Sequence, residues 1–219
     1  IGRVQRRIGV DSPKILKLIE NFGANMTKTT NKESRIGEIV ESSADKFTVE
    51  SYNLFEVPPL GSLIHTETPK IYAVSHAAST GATDPGRPII ARGAQEESEE
   101  TLFENNPQLS RLLSTQFHGL IVGHIEDTKI HQYLPPQPPP VHGFIYKCNS
   151  DEIAEFTEKI DFMHIILSAN IDSVDEVISA CLREASKAHT DDHAFLVQAG
   201  KELARKLGMD MNRLNAILG

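Results

Sequence analysis

The segment Phe117–Lys147, FHGLIVGHIEDTKIHQYLPPQPPPVHGFIYK, decides the fold of this chain. It opens on a strand-like apolar run at 118–125, crosses a proline tract at 135–140, and returns to a strand through Gly143–Tyr146. An earlier stretch, 58–64 (PPLGSLI), repeats its second half, because two prolines again approach a glycine and a short apolar strand follows. Short strands punctuated in this way predict a small closed β-barrel.

Composition places the chain among soluble globular proteins. Its 219 residues are 39% hydrophobic and 24% charged, and they suffice for a sizeable core. The two cysteines, Cys148 and Cys181, lack C-x-x-C spacing, which is typical of free thiols in a reducing compartment; a single disulfide stays open. No apolar run reaches the roughly 18–20 residues that span a bilayer, and no secretory signal opens the chain. We expect a cytoplasmic protein with no membrane partner.

The charge is unevenly distributed. A net charge of −8 argues against a general binder of nucleic acid or anionic membranes. Residues 1–25 carry +3, so the remainder carries −11. Contact with nucleic acid is therefore expected only through this basic arm.

Residues 1–32 are predicted to be an N-terminal arm with one short helix. Ser12 is a suitable N-cap, Pro13 occupies the first helical position, and Gly23 follows the apolar stripe. Met26 then opens a polar segment typical of a natural protein start. Two origins stay open for residues 1–25, a native extension and an added peptide.

The barrel is predicted over residues 33–148. From Arg35 the apolar period is two, and further strands are expected at 47–51, 62–66 and 70–75. Glycine and proline predict a loop at 81–94. A helical insertion is expected at 96–114, split by Pro107, with its acidic first turn favoured by the helix dipole.

Residues 149–219 are predicted to form a C-terminal helical domain, which makes the fold class α+β. Ser150 is expected to cap a helix through Glu158, whereas 162–167 is either a buried strand or a short helix. Ser173 and Glu176 have the spacing of a capping box. An amphipathic helix then follows, and a second helix runs from about Asp191 to Leu207 before Gly208 and a last turn capped by Asp210. The amphipathic stripe consists of Val174, Val177, Ile178, Cys181, Leu182 and Ala185.

The barrel segments resemble the HerA–ATP synthase (HAS) barrel family, found at the N-terminus of HerA-type DNA translocases and of ATP synthase subunits. The resemblance covers roughly residues 33–148. It lies in Ile36–Ile39, the Phe47 strand, Gly61–Ile64, the Lys70–Val74 strand, the helical insertion, Leu120–Gly123, and Leu134–Ile145 with its prolines and closing glycine.

The chain departs from that family in one decisive respect. It contains no G-x-x-x-x-G-K-[ST] loop, and a helical tail of about 70 residues stands where the family has its motor domain. ATP hydrolysis and DNA translocation are therefore not carried over, and we expect no ATPase activity. What the resemblance implies is the barrel's family role, which is to form subunit contacts or dock a partner.

No residue type in the sequence forms a recognisable catalytic, cofactor-binding or metal site, and we expect no cofactor. His118 and His124 lie about 20 Å apart along one strand, too far for one ion. The loop Gly81–Arg87 lacks a phosphate-binding lysine, and prolines remove its backbone donors. Neither cysteine has a histidine base nearby in sequence. Four further features have ordinary structural explanations: His131, His142, the acidic run Glu96–Glu104 and the proline tract Pro135–Pro140.

Three functions stay open from the sequence. The first is a non-enzymatic interaction or assembly protein whose barrel docks a protein partner or self-associates. The second is an accessory factor in DNA processing that uses the basic arm. The third is an enzyme with an unrecognised site between barrel and tail.

Overall fold

The computed structural model of the chain describes residues 35–208 and 210–218. The predicted arm, residues 1–32, and its helix lie outside the described residues. The strands are β1 Arg35–Ser42, β2 Lys46–Ser51, β3 Leu63–Thr66, β4 Ile71–Ala82, β5 Leu113–Glu126, β6 Lys129–His131 and β7 Phe144–Lys147. The helices are α1 Glu99–Asn105, α2 Leu109–Leu112, α3 Ser150–Phe156, α4 Met163–Ser168, α5 Val174–Ser186, α6 Asp192–Leu207 and α7 Met211–Leu218.

The seven strands form one antiparallel sheet in the order β2-β1-β7-β3-β4-β5-β6. An additional pairing joins β2 to β5, with Phe47 opposite Gly119. This pairing closes every strand except β6 into a ring. The β4–β5 register shifts between Tyr72 and Ala73 and again further along, and such bulges bend and twist strands as closure requires. The predicted α+β class, with C-terminal helices after the strands, is confirmed.

Two cores form because the ring buries both faces of its central strands. Each of the six strands of the ring contributes to one apolar cluster inside it. This cluster consists of Ile39, Phe47, Val49, Ile64, Ile71, Ala73, Phe117, Ile121 and Ile145. The alternate residues of β3, β4 and β5 point outward and are covered by helices α3 to α7; they are Leu63, Tyr72, Val74, Leu120 and Val122. Burial on both faces explains why the run Leu120–Val122 is continuously apolar.

The C-terminal helices pack on the sheet through the stripe that the sequence predicts. In α5, Val177, Ile178, Cys181, Leu182 and Ala185 are buried. In α6, Phe195, Ala199 and Leu203 are buried, and Gly208 ends the helix in the left-handed conformation. Among the described residues, no helix is long and apolar enough to cross a membrane. Residues 36–219 belong to one compact unit, and strands and C-terminal helices share one of its cores.

The capping predictions for two helices are wrong. Ser173 has a φ of 55° and makes no side-chain capping bond to the first turn of α5, whereas residues that cap a helix start normally have an extended backbone. Asn149, and not Ser150, caps α3, in a reciprocal capping box with Glu152. That helix ends at Phe156, two residues earlier than predicted.

The connections also differ from the expectations. The insertion is shorter than 96–114, since α1 and α2 flank Pro107 and β5 already begins at Leu113. β4 extends to Ala82, so the first two residues of the predicted loop are strand. Residues 162–167, for which the sequence allowed a strand or a short helix, lie largely in helix α4. The sequence reading missed β6, which pairs with β5 through a turn at Asp127 and Thr128.

Candidate functional site

A cluster of polar side chains lies outside the ring, where β3 and the end of β7 meet α3. We name it the junction cluster and define it as His65, Lys70, Cys148 and Glu152. The β3–β7 pairing sets His65 opposite Tyr146, and the Cys148 amide donates to the Leu63 carbonyl at 3.2 Å. His65 and Cys148 therefore share the outward face of neighbouring strands.

Glu152 is fixed by the start of α3. The Asn149 amide donates to Glu152 Oε2 at 3.0 Å, and the Glu152 amide donates to Asn149 Oδ1 at 2.9 Å. The other carboxylate oxygen, Oε1, accepts from the Lys70 ammonium. Burial acts to raise the pKa of Glu152, but the hydrogen bonds from Lys70 and Asn149 outweigh it and hold that pKa below its ordinary value. The carboxylate is thus ionised at neutral pH.

His65 is held by a stacked ring and a backbone carbonyl. Its ring lies parallel to Tyr146 within 15°, at 5.4 Å between centroids. Nδ1 donates to the Thr66 carbonyl at 3.1 Å, and Nε2 lies 3.6 Å from Glu152 Oε2. Burial lowers the pKa of His65. The imidazole is therefore neutral at neutral pH, with the proton on Nδ1 and the lone pair of Nε2 facing the carboxylate.

Cys148 completes the group. One donor atom each from His65, Cys148 and Glu152 lies within 4.8 Å of the other two. Burial, reinforced by the negative charge of Glu152, raises the pKa of the Cys148 thiol well above its ordinary value. A protonated thiol beside a neutral imidazole is not an activated nucleophile, since catalytic cysteines need a depressed pKa.

The junction cluster does not have the geometry of a catalytic triad. In a cysteine–histidine–carboxylate triad, the thiol and the carboxylate contact opposite nitrogens of the imidazole. Here Nδ1 is occupied by the Thr66 carbonyl and the carboxylate lies near Nε2, while the thiol lies within 4.8 Å of a donor atom of each partner. Three donors that converge on one point have the layout of a ligand set.

The sequence reading assigned no metal, cofactor or catalytic residue, and it missed this cluster. Its members come from separate segments, so spacing gave little signal; the one local sign was Cys148 four residues before Glu152. The second cysteine, Cys181, belongs to α5 and is not a member of the cluster. Both cysteines are free and line a cavity of about 210 Å³ between the residue 59–63 loop, α3 and α5.

The histidines considered as metal ligands from the sequence lie in two separate places. The ring of His118 lies 5.9 Å from His76, in a cleft of about 570 Å³ that also includes Asp172. His124 pairs across β5–β6 with His131, at 5.3 Å between rings. His118 and His124 therefore do not lie together. Within residues 35–208 and 210–218, the only group that could hold a metal ion is formed by three members of the junction cluster, namely His65, Cys148 and Glu152.

The remaining sequence candidates have structural roles. The proline tract joins β6 to β7, and Pro139, which is buried, accepts from the Ser42 hydroxyl at 2.6 Å. In the 81–87 loop, the Gly86 amide donates to Asp84 Oδ1 at 2.9 Å on an exposed surface. Ser98 caps the acidic start of α1. The basic arm lies outside the described residues, so contact with nucleic acid stays a prediction.

A second feature is the outer side of the β1–β7 pair. Val40, Val141 and Phe144 are 42%, 49% and 37% exposed, and we call them the β1–β7 patch. Ile39 exchanges backbone hydrogen bonds with His142 and Gly143, which places these three side chains around one point of the ladder. A groove of about 280 Å³ beside them is lined partly by Val141 and Phe144.

A comparison with protein-family models gives no match for this chain. A comparison with curated proteins gives no related sequence either.

Proposed function

We propose that this chain is a non-enzymatic interaction and assembly protein. Its ring-closed sheet is a barrel similar to the HAS barrel, and its outer side contacts a second copy of the chain. The observation that carries the proposal is the asymmetry of the ring. Helices of the same chain cover the outer faces of β3, β4 and β5, whereas the outer side of β1 and β7 presents the β1–β7 patch.

The patch has the chemistry of an assembly surface. Single exposed apolar residues are common on proteins, but clustered ones beside a groove are typical of contact sites. The hydrogen bond that His142 Nδ1 donates to Glu38 Oε1, at 2.5 Å, lies on the same outer side. Apolar side chains around a polar pair match the composition of protein interfaces.

The experiment is multi-angle light scattering on the full chain and on two matched variants. Phe144→Glu places a charge in the patch, while Val197→Glu places the same charge on the exposed side of α6, where Val197 is 42% exposed. We expect the full chain and Val197→Glu to self-associate equally and Phe144→Glu to dissociate. Equal masses for all three proteins would contradict the proposed surface.

A further inference from the structure

We propose that the junction cluster binds a zinc-type transition-metal ion through His65 Nε2, Cys148 Sγ and Glu152 Oε2. None of its three ligands belongs to the β1–β7 patch, since they lie on β3, directly after β7 and in α3.

The spacing of the donors suits one ion. Zinc lies about 2.0–2.3 Å from nitrogen, oxygen and sulfur ligands in tetrahedral sites, so two ligands of one ion are about 3.3–3.8 Å apart. Nε2 and Oε2 already lie 3.6 Å apart, and one donor atom from each of the three residues lies within 4.8 Å of the other two. Rotation of the Cys148 side chain about χ1 moves its sulfur by more than the remaining 1 Å or so.

The histidine is oriented as a ligand. Because Nδ1 donates to the Thr66 carbonyl, the lone pair of Nε2 points to the side where the carboxylate lies. Metal-binding histidines are held by this kind of second hydrogen bond, which fixes both tautomer and ring plane. The parallel Tyr146 ring restricts the same rotation.

The carboxylate is supported as well. The Asn149 amide and the Lys70 ammonium hold its two oxygens, so its position is set before an ion arrives. Lys70 contacts Oε1, which leaves Oε2 to act as a single-oxygen ligand. The Glu152 side chain is 21% exposed, so this side of the cluster is open to solvent.

The donor set favours a borderline ion over a hard one. A thiolate and an imidazole suit zinc or cobalt, whereas calcium and magnesium require oxygen ligands. The Lys70–Glu152 ion pair alone explains the carboxylate, but it leaves the convergence of a thiol and an imidazole lone pair without a reason. Three protein ligands leave a fourth position for water or another donor, as in open zinc sites.

The test is a cobalt(II) titration of the full chain, followed in the near ultraviolet, where thiolate-to-cobalt charge transfer absorbs. We expect one cobalt per chain, a charge-transfer band, and displacement by zinc but not by magnesium. Cys148→Ser should abolish the band, and Glu152→Gln should weaken binding about 10-fold or more. The matched control, Cys181→Ala, removes the other thiol and should leave the band unchanged. No band in the full chain, or an equal band in Cys148→Ser, would overturn the site.

A second measurement needs no variant, and so does not depend on a variant's folding. X-ray absorption at the zinc edge of the unchanged chain, loaded with one equivalent of zinc, should show one sulfur at about 2.3 Å and nitrogen or oxygen at about 2.0–2.1 Å. A first shell of nitrogen and oxygen alone would sink the proposal.

Discussion

At the scale of single residues, Gly61 links the sheet to the helices. Its φ is +80°, and a Cβ built there would lie 2.3 Å from the Cys181 amide nitrogen and 2.8 Å from the Ala180 side chain. Its own amide donates to the Ser75 carbonyl at 2.8 Å. The backbone before β3 therefore contacts α5 directly, an approach that only glycine permits.

Gly61→Ala should destabilise the chain through two separate effects. The left-handed backbone costs about 1–2 kcal/mol for an L-residue, and the collision with α5 adds about 1–3 kcal/mol. Gly208→Ala is the matched control, because Gly208 has a φ of +58° but no atom within 4 Å of the added methyl. Urea unfolding of both variants measures the difference. Equal losses would mean that the contact with α5 contributes nothing.

Besides His65 of the junction cluster, two histidines make stability depend on pH. Burial lowers the pKa of His76, with smaller effects in the same direction from His118 and Lys46 and an opposing one from Asp172. Burial likewise lowers the pKa of His189, whose ring stacks on Phe195 at 4.1 Å. Each histidine therefore takes up a proton more readily in the unfolded chain than in the folded one.

The free energy of unfolding should accordingly be highest above the ordinary histidine pKa of 6.5 and fall as the pH drops below it. Denaturant melts at about pH 7.5 and about pH 5.5 measure this loss. His76→Gln and His189→Gln should each reduce this loss of stability. A stability that stays level or rises on acidification would contradict the assignment.

At the scale of elements, α5 is the helix that joins the sheet to the tail. Its buried stripe contacts the outward side chains of β3, β4 and β5, and Leu182 is 2% exposed. Leu182→Ala should cost roughly 2–5 kcal/mol, since it leaves a cavity in this shared core.

Val197→Ala in α6 is the control, because Val197 is exposed and alanine favours helix. Thermal unfolding of both variants decides the matter. If Leu182→Ala melted at the temperature of the parent, α5 would not be part of the core.

Local patterns predicted the elements well where the backbone follows them. Alternation found β1 and β2, and the i, i+3, i+4 stripe found α5, because one face of each is buried. Ser173 and Glu176 have the spacing of a capping box, yet Ser173 has a φ of 55° and forms no capping hydrogen bond. Residue spacing carries no information about that backbone angle. The turn before β6 uses Asp127 and Thr128 at φ of 48° and 65°, without the glycine that usually marks such a hairpin.

The junction cluster could not be predicted from local sequence patterns, for a different reason. His65 and Cys148 become neighbours only through the pairing of β3 with β7, which joins segments far apart in the chain. Glu152 alone lies near Cys148 in sequence. Contacts that depend on strand order require the topology, and the sequence predicted a barrel without fixing which strands meet.

At the scale of the whole molecule, closure by β2–β5 organises everything else. The ring has its own interior core, and its outer side is divided between helices and the exposed β1–β7 patch. Among the described strands, closure leaves only β6, three residues long, as an edge for adding strands. Assembly is therefore expected through side chains of the outer surface and not through backbone pairing.

The dissociation constant of the self-associated chain, measured by sedimentation equilibrium at low and high salt, tests this account most directly. The net charge of −8 opposes association, and salt screens that repulsion over a Debye length of about 10 Å at 0.1 M. Contact through the apolar β1–β7 patch predicts that association tightens as salt rises and that Phe144→Glu abolishes it at every salt concentration. A strict monomer throughout, or an oligomer that loosens with salt and ignores Phe144→Glu, would contradict it.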